Sequence, residues 1–545
     1  MVPTTDLVEI ITKILENQPG LDNREIATVL REQEFPMLIP KINSILYGHR
    51  DRFKMELGRK RHSERPVWYP VQPDAAAVID VRQSTVGAIR RILGESYPPD
   101  HLLNSLYQWQ ERALAEWLIC NRRGVIEAVT GGGKTRLALA AAALELRAGG
   151  RVLVIVPTKD LVEQWVDQIE KHLGSAMGRA LRVGRFDGDN DGYLWNDEIV
   201  VATVQKACRY RCFPPNLTRG LLIADECHHY AAGAWRHALQ PEFAARLGLT
   251  ATYERDDNGI QEVLDPYFGG VCYRLDYGTA LAEEVIAHFK IAFVGVSFLP
   301  DEQLSYDAES EKLNRYKRRL INEYGVSEGP LGVFMQEVAR LGKSGDGAAA
   351  RVAGLYLSAF TKRRAVLASA SKKLCRLHGL VPAIKRAHRS IVFGQTNEAA
   401  TTAVEALRTD GVDAAVLHSG MDMDDRRRVF AAFDEGDHEL IAAPKLLDEG
   451  IDVPSADLAV ILATSRSRRQ MIQRMGRVVR RKADNRLARI AVLFVEGTCE
   501  DPSSGAHEDF IDMVVEVADE MRVFGARESD DAVVDYLNQW WPRSL

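Results

Sequence analysis

Apolar positions along this chain keep two rhythms. Between about residues 101 and 295, short and nearly continuous apolar runs alternate with stretches of helical periodicity. The runs are "GVIEAVT", "RVLVIVPT", "EIVVATVQ", "LLIADECHH" and "AARLGLTAT". Apolar runs of this length, interleaved with helical patterns, predict parallel strands buried on both faces by helices. The same alternation returns from about 388 with "SIVFGQT", "DAAVLHSG", "ELIAAPK", "LAVILAT" and "IAVLFVEG". Between the two blocks the chain holds no clear strand and is rich in Lys, Arg, Ala and Leu. The expected fold class is therefore α/β, with two parallel-sheet domains at 101–299 and 388–505 and a helical insert or bridge at 300–387. Residues 506–545 read as a helical tail.

The first 72 residues form a separate pattern. "DLVEIITKILENQPG" is a helix ended by Pro-Gly, and "NREIATVLREQ" is a second with Asn23 as its expected N-cap. "MLIPKINSILYGHRDRF" reads as a third, and "GRKRHSERPVWYPV" as a turn with a short β-element. Three helices followed by a β-wing resemble a winged-helix module. From His49 to Arg65 the chain holds seven Arg or Lys against three acids, which suits nucleic acid; protein docking is the other use of such a module. Residues 73–100 read as a connector.

Composition adds limits rather than chemistry. A chain of 545 residues exceeds one core, so several domains are expected. Its 70 basic and 76 acidic residues give a net charge of −6, which excludes no partner, because local basic surfaces still bind nucleic acid. No uninterrupted apolar run is long enough to span a membrane, and the N-terminus lacks a secretory pattern. Seven scattered cysteines without a CxxC suggest neither a zinc site nor a disulfide framework. A cytoplasmic setting is expected, nucleoid-associated in a bacterium.

Against that acidic background, "RRQMIQRMGRVVRR" (468–481) gathers six arginines. Met471, Met475 and Val478 fall on one helical stripe. Gln473, Arg477 and Arg480 repeat that spacing on another face. The segment predicts an amphipathic helix with a basic side. Gly476 in its midst costs about 1 kcal/mol relative to alanine, so a close approach is expected there. A solvated basic face is the bland alternative. Planar arginine suits phosphate, which makes the whereabouts of a phosphate site decisive.

"AVTGGGKT" supplies one. It follows a strand and opens the helical "TRLALAAAALELRAG". Thr130, Gly131, Gly132 and Gly133 form a loop whose N–H groups turn on phosphate oxygens at a helix N-terminus. Lys134 is expected to reach the β- and γ-phosphates of ATP, and Thr135 to hold Mg²⁺. Ala128 stands where the strict pattern has its first glycine. Further on, "LLIADECHH" is a buried strand ending in Asp225 and Glu226. At the carboxyl end of a parallel strand, Asp225 is placed for Mg²⁺ and Glu226 for polarising the attacking water. The second α/β block has no phosphate loop of its own, so Arg477 and Arg480 are expected to complete the first block's site across a cleft.

These blocks together resemble a superfamily 2 helicase of the group holding XPB-like DNA helicases and restriction motors. The resemblance covers roughly residues 105–500. It runs through "LYQWQERAL", "AVTGGGKT", "VPTKDLVEQW", "DECH", "LGLTATYERDD", "IVFGQT" with "LHSG", "LLDEGIDVP" and "QRMGRVVR" in the family's order. It implies two RecA-like domains and a set of roles. Gln110 would sense adenine. Gly450 and Asp452 would line the nucleotide cleft, with Gln473, Arg477 and Arg480 completing it. His228, Thr250 and Thr252 would couple nucleotide state to motion. Thr158, Lys159 and Gln205 would face the nucleic-acid backbone, although each Thr or Gln also reads as a plain cap or surface residue. The chain departs from the family where a phosphate-holding Thr often stands, since Pro444 takes that place and Lys445 is the nearest substitute. "YERDD" resembles the Arg-Glu-Asp element of XPB proteins, but in a different order.

The resulting expectation is an ATP-dependent DNA helicase or translocase, moving 3′ to 5′ by resemblance, in repair, restriction or defence. Its partner would be single-stranded DNA or a duplex junction, with a nuclease or other repair or defence subunit on another chain. An RNA helicase, and a nucleic-acid-sensing ATPase clamp that never parts strands, are the alternatives.

Overall fold

The computed structural model describes residues 4–32, 42, 53–60, 63–70, 105–188, 190–255, 257–328, 331–343, 347–418, 420–444, 456–462, 476, 478–482, 484–504 and 517–539.

At the N-terminus, helices α1 (Thr4–Asn17) and α2 (Asn23–Glu32) precede a hairpin of β1 (Phe53–Lys60) and β2 (Ser63–Pro70). The third expected helix lies outside the described residues except for Ile42 and Phe53. Its last residue, Phe53, is already strand. The N-cap of α2 is Asp22 rather than Asn23. Asp22 Oδ1 accepts the Glu25 N–H and Glu25 Oε2 accepts the Asp22 N–H, both at 2.9 Å. Two neighbouring residues were both competent to cap; the reciprocal box with Glu25 selects the first. The connector, 73–100, falls outside the described residues.

Helix α3 (Gln108–Ile119) leads into the first parallel sheet. Its strands are β3 (Arg123–Ala128), β4 (Arg151–Val156), β5 (Val183–Phe186), β6 (Ile199–Thr203), β7 (Gly220–Asp225), β8 (Ala245–Thr250) and β9 (Val271–Leu275). They lie in the order β5-β6-β4-β7-β8-β3-β9. Helices α4 (Lys134–Arg147) and α5 (Lys159–Gln168) follow β3 and β4. Strands such as β6 and β8 are buried at every position, as the apolar runs require.

The next strand, β10 (Phe289–Val296), does not join that sheet. It pairs in parallel with β15 (Ala488–Val495) and with β16 (Glu520–Phe524) of the second. The first domain therefore ends before β10, not at 299. The second sheet also contains β11 (Ser390–Phe393), β12 (Ala414–Val416), β13 (Leu440–Ala443) and β14 (Leu458–Ile461), in the order β12-β13-β11-β14-β15-β10-β16. The C-terminal segment is likewise more than a helical tail. It adds β16 to the sheet edge before its helix, Asp530–Asn538, packs on the sheet through Val533 and Leu537.

Helices α6 (Pro300–Tyr324), α7 (Leu331–Lys343) and α8 (Gly347–Ala368) form the insert, with a small core of their own around Leu320, Phe334 and Tyr356. One carboxylate closes its neck. Glu302 accepts the Leu299 N–H at 2.9 Å and, at 2.8 and 2.7 Å, the Ser371 N–H and hydroxyl. Among the described residues no helix is long and apolar enough to cross a membrane.

Candidate active site

The phosphate loop joins β3 to α4. Gly131 and Gly133 adopt left-handed backbone, φ +83° and +90°, which glycine alone takes without strain. Within the loop Lys134 Nζ donates to the carbonyls of Ala128 at 2.8 Å and Val129 at 3.4 Å. The Thr130 hydroxyl is buried with no hydrogen-bond partner among the described residues. Gln110, fully buried on α3, locks the loop from outside. Its Oε1 accepts the Tyr107 N–H and its Nε2 donates to the Gly133 carbonyl, both at 2.9 Å. A β-carbon on Gly133 would lie 2.7 Å from that amide nitrogen, so the loop and Gln110 fit only because Gly133 has none.

Strand β8 separates β3 from β7, so Asp225 stands two strands from the loop but at the same, carboxyl end of the sheet. Its Oδ1 accepts the Glu226 N–H at 3.1 Å, and its Oδ2 accepts the indole N–H of Trp165 on α5 at 2.9 Å. Glu226 is left-handed, φ +48°, a strained conformation for a residue with a side chain. That turn brings Glu226 Oε2 to 3.5 Å from His228 Nδ1. The same nitrogen lies 2.9 Å from Thr250 Oγ1 at the end of β8, and the Thr250 hydroxyl donates to the Thr252 carbonyl at 2.8 Å. The three residues read as coupling elements thus form one buried chain beside the carboxylates.

Residues 476 and 478–482 bring the second domain onto the loop. Gly476 sits directly over Thr130, and a β-carbon there would collide with the threonine side chain. The close approach expected at Gly476 has its partner in that hydroxyl residue. A β-carbon on Gly131 would lie 2.8 Å from Arg480 Cγ and 3.0 Å from the Gly476 carbonyl. Arg480 is not on the helix, as its spacing had suggested. It makes an extended bridge with Ile286, while the Val479 carbonyl accepts the Ala287 N–H at 2.7 Å. Arg481 pairs with Glu284 at 2.8 Å. Arg480 and Arg481 therefore lie along a non-helical backbone, and the helical period ends at Val478. Gln473, Arg477, Gly450, Asp452 and Lys445 lie outside the described residues.

The residues assigned to nucleic acid meet at the ends of β4 and β6. Thr158 caps α5, its hydroxyl accepting the Leu161 N–H at 3.4 Å. Gln205 Nε2 donates to the Pro157 carbonyl at 3.2 Å. Lys159 is exposed beside them.

Sequence reasoning missed three contributors. Asp160 on α5 pairs at 2.7 Å with Arg426 on the second domain's helix Met423–Glu435, and Glu163 pairs with Arg427 of the same helix. Arg255, after β8, donates to the His228 carbonyl and pairs with Asp257. Trp165 holds Asp225. The pairs of Asp160 and Glu163 join residues distant in sequence, Arg255 pairs two residues away but reaches a backbone carbonyl that only the fold sets beside it, and Trp165 reads as an ordinary core aromatic.

Comparison with known proteins follows these elements. Residues 104–255 match the family model "Type III restriction enzyme, res subunit", and 370–482 match "Helicase conserved C-terminal domain". The "DNA 3'-5' translocase XPB2" of Sulfurisphaera tokodaii is 30% identical over 397 residues, which cover 72% of this chain and 82% of that protein. The chain belongs to the XPB-like superfamily 2 helicases. The "DNA 3'-5' helicase XPB" of Mycobacterium tuberculosis is 24% identical over 482 residues, 85% of this chain and 72% of that one. Of the Rad25 relative from Haloarcula marismortui, this XPB-like chain spans about half the length, 51%. Among solved structures, S. cerevisiae Dbp5 bound to RNA and ADP BeF3 superposes with a TM-score of 0.52 at 13% identity, over 84% of this chain and 97% of that one. That likeness concerns the fold of the paired domains.

Proposed function

We propose that this chain is an ATP-dependent DNA translocase or helicase of 3′-to-5′ direction. The observation that carries the reading is the meeting of two domains over one phosphate loop: Gly476 on Thr130 and Arg480 on Gly131. A nucleotide there would lie between the sheets, so that its presence or absence changes their fit. That is the physical requirement of a motor that shifts grip as the cleft opens and closes.

Helicases of this superfamily use ATP with a divalent cation. The residues here fit that pair: left-handed glycines leave room for phosphate oxygens, and a Thr130 hydroxyl with no partner among the described residues lines the loop. Thr135 and Asp225 are the groups that would hold Mg²⁺. A bound Mg²⁺ supplies charge neutralisation across the β- and γ-phosphates. Lys134 would exchange its loop carbonyls for phosphate oxygens. Glu226 would orient and polarise the attacking water, and Arg480, with Arg477 and Gln473, would meet charge developing on the γ-phosphoryl group. Gly450 and Asp452 would line the ribose side. The His228–Thr250–Thr252 chain would pass the change to the nucleic-acid face at Thr158, Lys159 and Gln205, with Lys445 opposite. The DNA would be a single strand or duplex junction, and a nuclease or repair subunit is the kind of partner such a motor serves.

The test is ATP turnover titrated with matched single-stranded DNA, duplex, forked DNA and RNA, run beside strand displacement on the fork. DNA stimulation with displacement of the annealed strand is the expected result. Stimulation by RNA alone would make it an RNA helicase. Stimulation without displacement on any fork would leave a translocase or clamp.

A further inference from the structure

Trp165 stands where its indole touches the acid proposed to hold the metal. It is 2% exposed, on the inner face of α5, and its Nε1–H donates to Asp225 Oδ2 at 2.9 Å. A tryptophan serving only as core filler leaves that N–H to any nearby carbonyl. Here it is spent on a carboxylate, and a charge-assisted bond of this kind fixes direction as well as distance. The opposite oxygen of the same carboxylate accepts the Glu226 N–H at 3.1 Å. With one donor on each oxygen, the plane of the carboxylate cannot turn. Below it, the single proton of the Tyr230 hydroxyl is shared between the Asp225 carbonyl at 2.7 Å and the Ile155 carbonyl at 3.0 Å, pinning the strand end to β4.

The helix carrying Trp165 has other ties. Its cap, Thr158, and the adjoining Lys159 belong to the proposed nucleic-acid face. Asp160 pairs with Arg426 of the second domain at 2.7 Å. A shift of α5 against β7 would therefore draw the indole off Asp225.

We infer that Trp165 is a positioning residue: its indole N–H sets the Asp225 carboxylate in the orientation that binds the catalytic divalent cation, and through α5 it ties that orientation to the nucleic-acid face and the domain interface. This rests on the nucleotide site proposed above. Losing a hydrogen-bond donor behind a metal-holding group typically costs about 10–100-fold in metal affinity.

The experiment uses the full-length chain. Trp165→Phe keeps an aromatic ring and removes the N–H. Binding of a fluorescent ATP analogue is titrated with Mg²⁺, and ATP hydrolysis is titrated the same way at saturating single-stranded DNA. Trp165→Phe is expected to raise the half-saturating Mg²⁺ about tenfold in both titrations. Affinity for the analogue in EDTA should stay as in the wild type. Val162→Ala, a cavity on the same helix away from the carboxylate, should lower the melting temperature yet leave the Mg²⁺ dependence alone. If Trp165→Phe does not fold, benzothienylalanine placed at 165 keeps the shape of indole and deletes only the donor, and its Mg²⁺ titration decides. Mg²⁺ curves that coincide with wild type overturn the assignment, as does a Val162→Ala shift as large as that of Trp165→Phe. A wild type that neither binds nor hydrolyses Mg²⁺–ATP would instead overturn the nucleotide site itself.

Discussion

Lys134 spends its ammonium on the loop it belongs to, 2.8 Å from the Ala128 carbonyl. That bond keeps the loop open at little cost, because phosphate oxygens are better acceptors for the same cation. Lys134→Ala should therefore abolish hydrolysis, as the developing γ-phosphoryl charge loses its counter-charge. Glu226→Gln keeps the shape and removes only the carboxylate proposed to polarise water, so nucleotide should still bind while turnover is lost. Nucleotide-binding titrations beside phosphate-release assays separate the two, and wild-type turnover in Glu226→Gln would reassign the base. Arg480 lies over Gly131 through its aliphatic stem. Arg480→Ala is expected to lower kcat roughly 10³-fold with a smaller change in nucleotide affinity, the pattern of a contact made mainly in the transition state. Unchanged turnover would return this arginine to a structural role at the Ile286 bridge.

Helices carry the next level of control. The α5 helix starts at the face proposed to meet nucleic acid, carries Trp165 against Asp225, and offers Asp160 and Glu163 to the second domain. Ion pairs in water stabilise little. The Arg426–Asp160 pair is largely withdrawn from water, at 13% and 24% side-chain exposure, and it spans the cleft between domains. Arg426→Asp should disfavour the closed arrangement and raise the KM for ATP several-fold. The charge-swapped Arg426→Asp, Asp160→Arg chain should recover most of that loss, with a coupling of about 1 kcal/mol. A double-mutant cycle on DNA-stimulated turnover measures it. Strict additivity would mean that the pair does not hold the domains together in solution.

At the scale of the whole molecule, the N-terminal unit precedes both parallel sheets in the chain. Its helices and hairpin pack together, with Tyr69 of β2 against Gly20 of the turn between α1 and α2. Lys54, Arg59 and Lys60 fall on β1 and Arg65 on β2. If this unit meets duplex phosphates, each one neutralised adds about 0.9 to the slope of log affinity against log salt. Deleting residues 1–72 should then weaken duplex binding and flatten that slope by roughly two to four units. Turnover at saturating DNA should persist, since every described cleft residue lies beyond the deletion. Coincident slopes for the full-length and truncated chains would leave protein docking as the role of the unit.

Local chemistry was legible in the sequence because it is written by neighbours. Periodicity gave strands buried on both faces, glycine spacing gave the phosphate loop, and Asp225 and Glu226 stood at the end of an apolar run. Gly476 announced a close approach. What it approached was decided by the fold, since Thr130 is distant in sequence. The same limit applies to "FKIAFVGV" (289–296): its apolar run makes it a strand, but a fully buried strand has no residue that names its sheet. It follows the first domain in the chain and completes the second, because its partners β15 and β16 come after the insert. Cap choice between Asp22 and Asn23 turned on which of them met Glu25. Arg480 left its predicted helix because an extended bridge to Ile286 was available only in three dimensions. Trp165 shows the division most clearly. Its apolar body could be placed in a core from helical spacing alone, whereas the direction of its single N–H depended on which strand end the finished sheet set opposite it.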